Sequence, residues 1–343
     1  MNRAMRAILS GARGITQREE AFLIVFFVVV FVFFAVLVPA LSDPATLSDL
    51  AGELAPNLIA ALGVAILMLQ REFDVSIGSV VALVGVVTIW TFNATASIPL
   101  GIAAGLGSGM VVGAIHGYLV VYQRLNSLIT TLATLFLIRG LVYVWTQQVT
   151  VSDQHGLIAF ENLYYGSVAG IPVPLILVVL LFVAGGWFMS QTSSGLAIYA
   201  MGGNESSARA LGIHVRRLKF FSFVACSALA ALAGLVLAAQ TDSGYFDAGL
   251  GFEFIVIAAV VLGGVALTGG RGTVYGAALG VLIIGMTGKG LRLLGVYTTW
   301  QLVATGLFMM LAVFGYGVRE RWERRRRQLR RRTIVVPDSG HAV

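Results

Sequence analysis

Charged residues and cysteine are scarce in this sequence. Only 11% of the 343 residues are charged, whereas a soluble domain carries about one-quarter. The hydrophobic share is 58%, so the composition excludes a soluble globular protein and indicates a polytopic membrane protein. The one cysteine, Cys226, lies in an apolar run. We therefore expect a buried, unreactive thiol and no disulfide within the chain.

Motifs for catalysis, nucleotide binding and metal binding are also missing. The only Gly-Lys pair is Gly288-Lys289, and position 283 is isoleucine where a phosphate-binding loop needs glycine. No nucleophile elbow or zincin motif occurs, and the histidines show no metal-ligand spacing: His116, His155, His214 and His341. We expect no catalytic, cofactor-binding or metal-binding residue here. If ATP drives this protein, another chain must hold the ATPase.

Long apolar runs occupy most of the sequence. Ten of them approach the roughly 20 residues that a membrane span needs. The net charge of +7 does not indicate nucleic-acid binding, because the basic residues cluster beside the apolar runs and orient them in the membrane. The predicted spans are 21–41, 54–70, 76–95, 98–122, 127–146, 172–190, 219–240, 252–268, 273–288 and 299–317.

Lys and Arg placement orients these spans. With the N-terminus inside, 20 of the 23 basic residues fall on the cytoplasmic side, and only Lys289 and Arg292 fall outside. This bias predicts an all-α inner-membrane bundle of about ten helices with both termini cytoplasmic. Two five-span halves would have opposite topology, as in an inverted repeat. The predicted parts are a cytoplasmic segment 1–20, a transmembrane domain 21–317 with a cytoplasmic loop 191–218, and a basic tail 318–343. We expect the tail to lie near anionic lipid headgroups.

A polar segment between two apolar runs, residues 193–219, predicts a short capped helix. Asn204 is suited to the N-cap, Glu205 to the first turn and Gly212 to the C-terminal end. A membrane protein that carries such a helix on its positive side has a surface suited to a soluble partner.

Two further polar stretches interrupt the apolar pattern. Asp74 is expected to cap a helix that starts near Val75, with Gly78 and Ser79 allowing close contacts. This stretch is either a broken element that lines a pathway or a tight turn on the inner side. Glu253 opens the predicted span 252–268, where it either favours the helix start or faces a polar cavity.

Two features of single spans have alternative interpretations. Arg139 lies well along the fifth span, where it either has a function or extends its charge towards the outer surface. The fourth span carries a ridge of glycines at a spacing of four, which predicts close helix packing within the chain or, as the alternative, a seam between two copies. The ridge consists of Gly101, Gly105, Gly109, Gly113 and Gly117.

Three stretches together resemble one known family. The first is Asp74-Val-Ser-Ile-Gly-Ser79, the second includes Gly203-Asn204-Glu205, Ala208-Arg209 and Gly212-Ile213, and the third runs from Ile257 to Gly264 with Gly269-Gly270 and Gly272. They are similar to the ribose-type permeases of ABC importers, in the superfamily that includes branched-chain amino acid permeases. Arg139-Gly140 resembles the family's fifth span. The resemblance covers residues from about 45 to 315, whereas Lys289 and Arg292 depart from the family's neutral residues.

The resemblance implies a permease without its own ATPase. The implied partners are cytoplasmic ABC ATPase subunits, a periplasmic sugar-binding protein and a second copy or paralogue of the permease. ATP would be bound by the partner chain, and the capped helix would be the coupling helix. The coupling residues would be Gly203, Asn204, Glu205, Ala208, Arg209 and Gly212, and the residues of the path or its hinges Asp74, Ser76, Gly78, Ser79, Glu253 and Arg139.

Two functions therefore compete at the level of the sequence. The first is the membrane subunit of an ATP-driven importer for a sugar or sugar-like solute, working by alternating access. The alternative is an ion-coupled secondary transporter, which would need carboxylates at mid-membrane. A third function, that of an intramembrane enzyme, is not supported, because the sequence contains no set of catalytic residues. The sequence leaves the solute open among pentoses, deoxyhexoses, other sugars and furanosyl signalling molecules.

Overall fold

The computed structural model describes residues 3–156, 158–297 and 299–301, and beyond these only positions 303, 304, 306, 307, 310 and 314. The described part is a bundle of α-helices with two small antiparallel two-stranded sheets, which pair Val151–Ser152 with Ser243–Gly244 and Ser167–Val168 with Ile171–Pro172. Most of the predicted span 299–317 and the whole basic tail 318–343 lie outside the described residues.

The elements follow one another with short connections. The helices are α1 Arg3–Leu37, α2 Pro44–Leu69, α3 Ile77–Thr95, α4 Ile98–Gly117, α5 Ser127–Thr146, α6 Ile158–Tyr165, α7 Val173–Gln191, α8 Ser193–Gly203, α9 Glu205–Ala210, α10 Val215–Thr241, α11 Phe252–Leu262 and α12 Val274–Leu293. The strands are β1 Val151–Ser152, β2 Ser167–Val168, β3 Ile171–Pro172 and β4 Ser243–Gly244. A 3₁₀ turn, Pro39–Ser42, precedes α2, and a π-helical turn, Tyr118–Tyr122, extends α4.

Eight helices in the described part are long and apolar enough to cross a membrane. They are the stretch Glu20–Leu37 of α1, then α2, α3, α4 with its π-helical turn, α5, α7, α10 and α12. This result supports the predicted polytopic helical bundle. The predicted span 54–70 covers the later part of the longer α2, which begins at Pro44 and ends at Leu69.

The predicted span 252–268 is shorter than a membrane span. Its helix, α11, has 11 residues, about 16 Å at 1.5 Å per residue, against a hydrocarbon core of roughly 30 Å. The helix ends because the glycines that follow adopt left-handed backbone, with φ of +85° at Gly264 and +74° at Gly269. The chain therefore turns at these glycines and returns as α12.

Short polar side chains fix the starts of four helices. In each case a Thr or Asn oxygen at the N-cap accepts a hydrogen bond from a backbone N–H in the first turn. The four pairs are Asn126 with Ile129 for α5, Thr192 with Gly195 for α8, Asn204 with Ser207 for α9 and Thr273 with Gly276 for α12.

Helices α2, α3 and α10 form the centre of the bundle, and α4 packs against α3 and α10. Most of α2 is buried, whereas most of the hydrophobic stretch of α1 is exposed. An apolar exposed face is what a lipid-facing helix needs, because lipid tails are as apolar as the side chains that meet them.

Residues predicted for the two sides of the membrane lie at opposite ends of the bundle. At one end, called the α9 end, Gly270 N–H donates to Leu69 O (2.9 Å) and Thr273 donates to Glu20 (2.6 Å). At the other, called the Glu53 end, Tyr165 donates to Gln240 O (2.9 Å) and Lys289 pairs with Glu53 (3.4 Å). The structure thus places these residues in the same two groups that the distribution of Lys and Arg along the sequence predicts.

The glycine ridge of α4 packs within the chain. A Cβ atom at any of its five positions would contact α3 or α10: Phe92 at position 101, Thr88 at 105, Ala231 at 109, Phe223 at 113 and Phe220 at 117. The interpretation as intrachain packing is confirmed, because the ridge fills the groove between these two helices.

This packing predicts a contrast between two glycines of α4. A Cβ at position 113 would lie 2.7 Å from Phe223 O and 2.8 Å from Val224 Cα, while a Cβ at position 107 would meet nothing within 4 Å. We expect Gly113→Ala to lower the free energy of unfolding by about 1–3 kcal/mol. Gly107→Ala should leave it unchanged or raise it by up to about 1 kcal/mol, since alanine favours the helix. Unfolding in detergent micelles titrated with dodecyl sulfate measures both, and equal losses would contradict the packing described.

Candidate functional site

Helix α9 has the ends that the sequence predicts. Asn204 Oδ1 accepts from Ser207 N–H (3.0 Å), and Gly212 follows the helix with φ +82°. Glu205 lies in the first turn, and Ala208 is buried on the inner face. The sequence did not reveal α8, which Thr192 caps and which ends where α9 begins.

A cluster of four charged side chains connects α9 to the rest of the bundle. Lys219 Nζ, near the start of α10, lies 2.6 Å from Glu72 Oε1 and 2.8 Å from Glu205 Oε2. Arg209 donates to the other oxygen of Glu205 at 2.5 Å. Lys219 and Glu72 are largely buried, with 13% and 12% of their side chains exposed. Partly buried pairs are screened less by salt than surface pairs, so we regard this cluster as a structural connection.

The hydrogen bond from Lys219 lowers the pKa of Glu205 below the usual glutamate range. The charges of Lys219 and Arg209 act in the same direction, and burial opposes them. Because the pKa in the folded protein is lowered, this contact stabilises the fold above the ordinary glutamate pKa. The stabilisation is lost as the pH falls through the lowered value.

Arg71 connects the α8–α9 junction to the end of α2. Its Nε donates to Gly202 O and its Nη2 to Gly203 O, both at 2.7 Å. A Cβ atom at position 202 would overlap Leu69 O and the Gly270 backbone. Three segments therefore meet in backbone contact at the α9 end, and a displacement of α9 would reach the end of α2 directly.

The chain between α2 and α3 is a buried irregular segment. Helix α3 begins at Ile77, within two residues of the predicted start near Val75, but its N-cap is Ser76 and not the predicted Asp74. Asp74 Oδ1 instead accepts from Ser76 N–H (2.9 Å) and Ser76 Oγ (2.6 Å), and Ser79 Oγ donates to Ser76 O (2.8 Å). The aspartate closes a turn that precedes the helix, because its short side chain reaches the N–H two residues on.

Hydroxyl groups of α5 satisfy the backbone of this segment. Phe73 N–H donates to Ser127 Oγ (3.3 Å), and Val75 N–H donates to Thr131 Oγ1 (3.1 Å). Asp74 and Ser76 are wholly buried. A surface turn would use water for these groups, whereas irregular backbone surrounded by protein must find partners there. The geometry is that of a helix break held inside the bundle.

His116 of α4 is a member of this site that the sequence did not reveal. Its Nδ1 lies 3.6 Å from Asp74 Oδ2, its Nε2 lies 2.7 Å from Thr134 Oγ1, and neither Asp74 nor His116 is exposed. Ser227 of α10 approaches the same carboxylate oxygen at 3.5 Å. The spacing of histidines in a sequence can indicate a metal site, but no pattern in this sequence indicates that His116 lies beside Asp74.

Arg139 points inward and not towards the outer surface. Its Nη1 donates to Ala248 O (2.7 Å) and Phe246 O (3.3 Å), and 8% of the residue is exposed. The interpretation that its side chain extends towards the outer surface is therefore wrong for this structure. The arginine fixes the segment between β4 and α11, residues 245–251, against α5.

Glu253 lies at the start of α11 beside the start of α3. It is buried, and its Oε2 has no hydrogen-bond partner among the described residues. A Cβ atom at Gly78 would overlap this oxygen and Gly249 O. Glycine at position 78 is thus what allows α3, α11 and the 245–251 segment to meet.

A cavity of about 420 Å³ opens at the Glu53 end between α2, α3, α10 and α11. Its polar lining comes from Glu53, Asn57, Thr241, Ser243, Tyr245 and Asp247, and the rest is apolar. A volume of this size, apolar with a few polar groups, is typical of sites for small molecules. At its inner side Val81 and Gly234 meet with their backbones in close contact.

Comparison with known proteins gives one family. The family model described as "Branched-chain amino acid transport system / permease component" matches residues 46–313. The ribose import permease protein RbsC of Escherichia coli K12 is 35% identical over 75% of this chain and 81% of its own. The L-arabinose transport system permease protein AraH of the same strain is 35% identical over 85% and 88%.

A third relative is similar over a larger part of the chain. The ribose import permease protein RbsC of Bacillus subtilis strain 168 is 36% identical over 88% of this chain and 92% of its own. No solved structure matches the chain.

Proposed function

The chain belongs to the family of branched-chain amino acid transport system permease components, and from this premise we infer that it is the permease subunit of an ATP-driven sugar importer. The relatives named as ribose and L-arabinose permeases support a sugar or sugar-like solute. The absence of a phosphate-binding loop from the sequence supports an ATPase on a separate subunit.

The contact that carries the proposed mechanism is Lys219 between Glu205 and Glu72. It joins the short helix α9 to the helix break through one side chain. A partner that pushes or pulls α9 would therefore move the chain on which Asp74 lies. We propose that Gly203, Asn204, Glu205, Ala208, Arg209 and Gly212 form the coupling element, with Arg209 and Glu205 on its exposed side.

The residues proposed for the path or its hinges lie at a break between two helices and at the start of a helix that is too short to span the membrane. Asp74, Ser76, Gly78 and Ser79 form the break before α3, and Glu253 starts the short helix that packs on it. Arg139 holds the segment that leads into that helix. Alternating access needs a few positions that absorb backbone change while the packed helices stay rigid, and a break and a half-length helix are suited to this.

The proposed assembly places a different partner at each end. ATPase subunits bind the α9 end, where the basic residues cluster, and a soluble sugar-binding protein meets the Glu53 end. A second permease copy or a paralogue completes the membrane part. Both termini are cytoplasmic in this arrangement, and lipid surrounds the apolar outer faces and the basic tail.

The ion-coupled alternative has one observation in its favour. Asp74 and His116 form a buried ionisable pair within the bundle, which a proton-driven carrier would need. The relatives favour the importer, because they are named as a ribose import permease and an L-arabinose transport system permease. Transport that needs ATP and stops without the ATPase separates the two functions.

The coupling assignment is tested with the double variant Glu205→Ala, Arg209→Ala. The complex of this chain, its ATPase and its binding protein is reconstituted in proteoliposomes, and ATP-dependent sugar uptake is compared with ATP hydrolysis. We expect uptake to fall at least about tenfold, within the usual range of coupling energies, because α9 loses the contact of Glu205 with Lys219.

The conservative double variant Glu205→Asp, Arg209→Lys serves as control. It keeps both charges on the same helix, and we expect it to retain most of the uptake. Unchanged assembly and unchanged uptake in the alanine variant would disprove the coupling role of α9.

A further inference from the structure

The cavity at the Glu53 end has an acidic polar lining. Among the described residues that line it, two are acidic, Glu53 and Asp247, and none is Lys or Arg. The Glu53 carboxylate is paired with Lys289 (3.4 Å) and with Arg292, so its charge is largely balanced. Asp247 is therefore the carboxylate that sets the charge inside the cavity.

Asp247 has unused capacity to accept hydrogen bonds. Its Oδ1 is buried and has no hydrogen-bond partner among the described residues. An ionised carboxylate is an acceptor only, and leaving such an oxygen buried without a donor costs free energy. The cost is removed when a ligand brings hydroxyl groups to this position.

The backbone around Asp247 is held in place from outside the cavity. Arg139 donates to Phe246 O and Ala248 O, the carbonyl groups on either side of this residue. The carboxylate is thus presented by a fixed segment, and a ligand would find it preorganised.

We propose that the permease itself selects its solute in this cavity, which binds an uncharged polyhydroxylated molecule. Asp247 accepts hydrogen bonds from the solute's hydroxyl groups, Asn57 adds an amide, and Tyr245 and Phe252 offer ring surfaces. The same carboxylate repels phosphorylated or acidic sugars, because like charges in a partly desolvated site are costly. The proposal rests on the proposed function and adds a specificity site to a subunit whose discrimination would otherwise come from its binding protein.

The test measures binding to the permease–ATPase complex in nanodiscs without any binding protein. The probes are radiolabelled D-ribose and D-ribose 5-phosphate in equilibrium dialysis. We expect saturable ribose binding in the millimolar range and none of the phosphate. Asp247→Asn should weaken ribose binding about tenfold, as loss of a charged hydrogen bond does, and should admit ribose 5-phosphate.

Two further variants keep the test decisive. Asn57→Leu should weaken ribose binding without admitting the phosphate, since the cavity keeps its charge. Asp49→Asn makes the same change on an exposed residue of α2 outside the cavity and should leave both probes unaffected. Thermal unfolding of each complex shows whether a variant is folded.

The outcomes separate this inference from the proposed function. Absence of ribose binding, or equal selectivity in the native complex and in Asp247→Asn, overturns the inference, while ATP-dependent uptake with the binding protein would still support an importer. Absence of any ATP-dependent uptake of sugars in the complete system would overturn the proposed function instead.

Discussion

Replacing Asp74 with alanine is expected to lower the free energy of unfolding by about 1–3 kcal/mol, the cost of leaving buried hydrogen-bond donors without their acceptor. Sugar uptake should be lost with it. The carboxylate is wholly buried, closes the turn through Ser76 and faces His116 of α4 and Ser227 of α10. Its removal leaves the Ser76 backbone N–H and the Ser76 hydroxyl in the protein interior without their acceptor.

A double-mutant cycle isolates the contribution of the pair. Unfolding is measured in detergent micelles for the native chain, Asp74→Ala, His116→Ala and the double variant. We expect the double variant to lose less stability than the sum of the single losses, because the second substitution removes a group that the first has already left unpaired.

Two other variants define what the carboxylate does. Asp74→Asn keeps an oxygen that can accept from Ser76 N–H, and we expect it to be intermediate in stability. Asp49→Ala removes an exposed carboxylate within α2 and should change stability by no more than about 0.5 kcal/mol. A loss below about 1 kcal/mol for Asp74→Ala, with normal uptake, would contradict the description of the helix break.

The coupling element is an example of structure that can be predicted from residues close together in the sequence. Asn204, Glu205 and Gly212 define helix ends through contacts within four residues along the chain. Such contacts depend little on the rest of the fold, so the predicted boundaries of α9 are confirmed. The spans are predictable for a related reason, since the length and apolarity that lipid demands are properties of one continuous segment.

The surroundings of Asp74 could not be predicted in this way, because they depend on residues that are far apart in the sequence. Helix α3 starts at Ile77, later than the predicted start near Val75, because the aspartate bonds to Ser76 and not to the first turn of α3. Its partner His116 is 42 positions away in the sequence and reaches it only because α3 packs on α4. The half-length α11 was likewise predicted as a span, since the apolar run continues through glycines whose left-handed backbone the pattern does not show.

Replacing Lys219 with methionine is expected to uncouple ATP hydrolysis from transport. Methionine keeps an unbranched apolar stem of similar length but removes the ammonium group that joins Glu205 to Glu72. Both carboxylates then lie near each other without the cation, and they repel across a partly buried space. We expect uptake to fall by about tenfold to a hundredfold, which corresponds to the usual size of the coupling free energy between two sites.

The measurement compares uptake and ATP hydrolysis in the same proteoliposomes. Lys219→Arg keeps the charge and should retain most of the uptake, whereas Arg217→Met makes the equivalent change at an exposed position of α10 and should leave coupling intact. Hydrolysis that continues while uptake stops would locate the defect between the ATPase and the path. Loss of both together would mean that the ATPase no longer binds. Full uptake in Lys219→Met would show that α9 transmits motion by another route, for which the backbone contacts of Gly202 with Leu69 and Gly270 are the remaining connection.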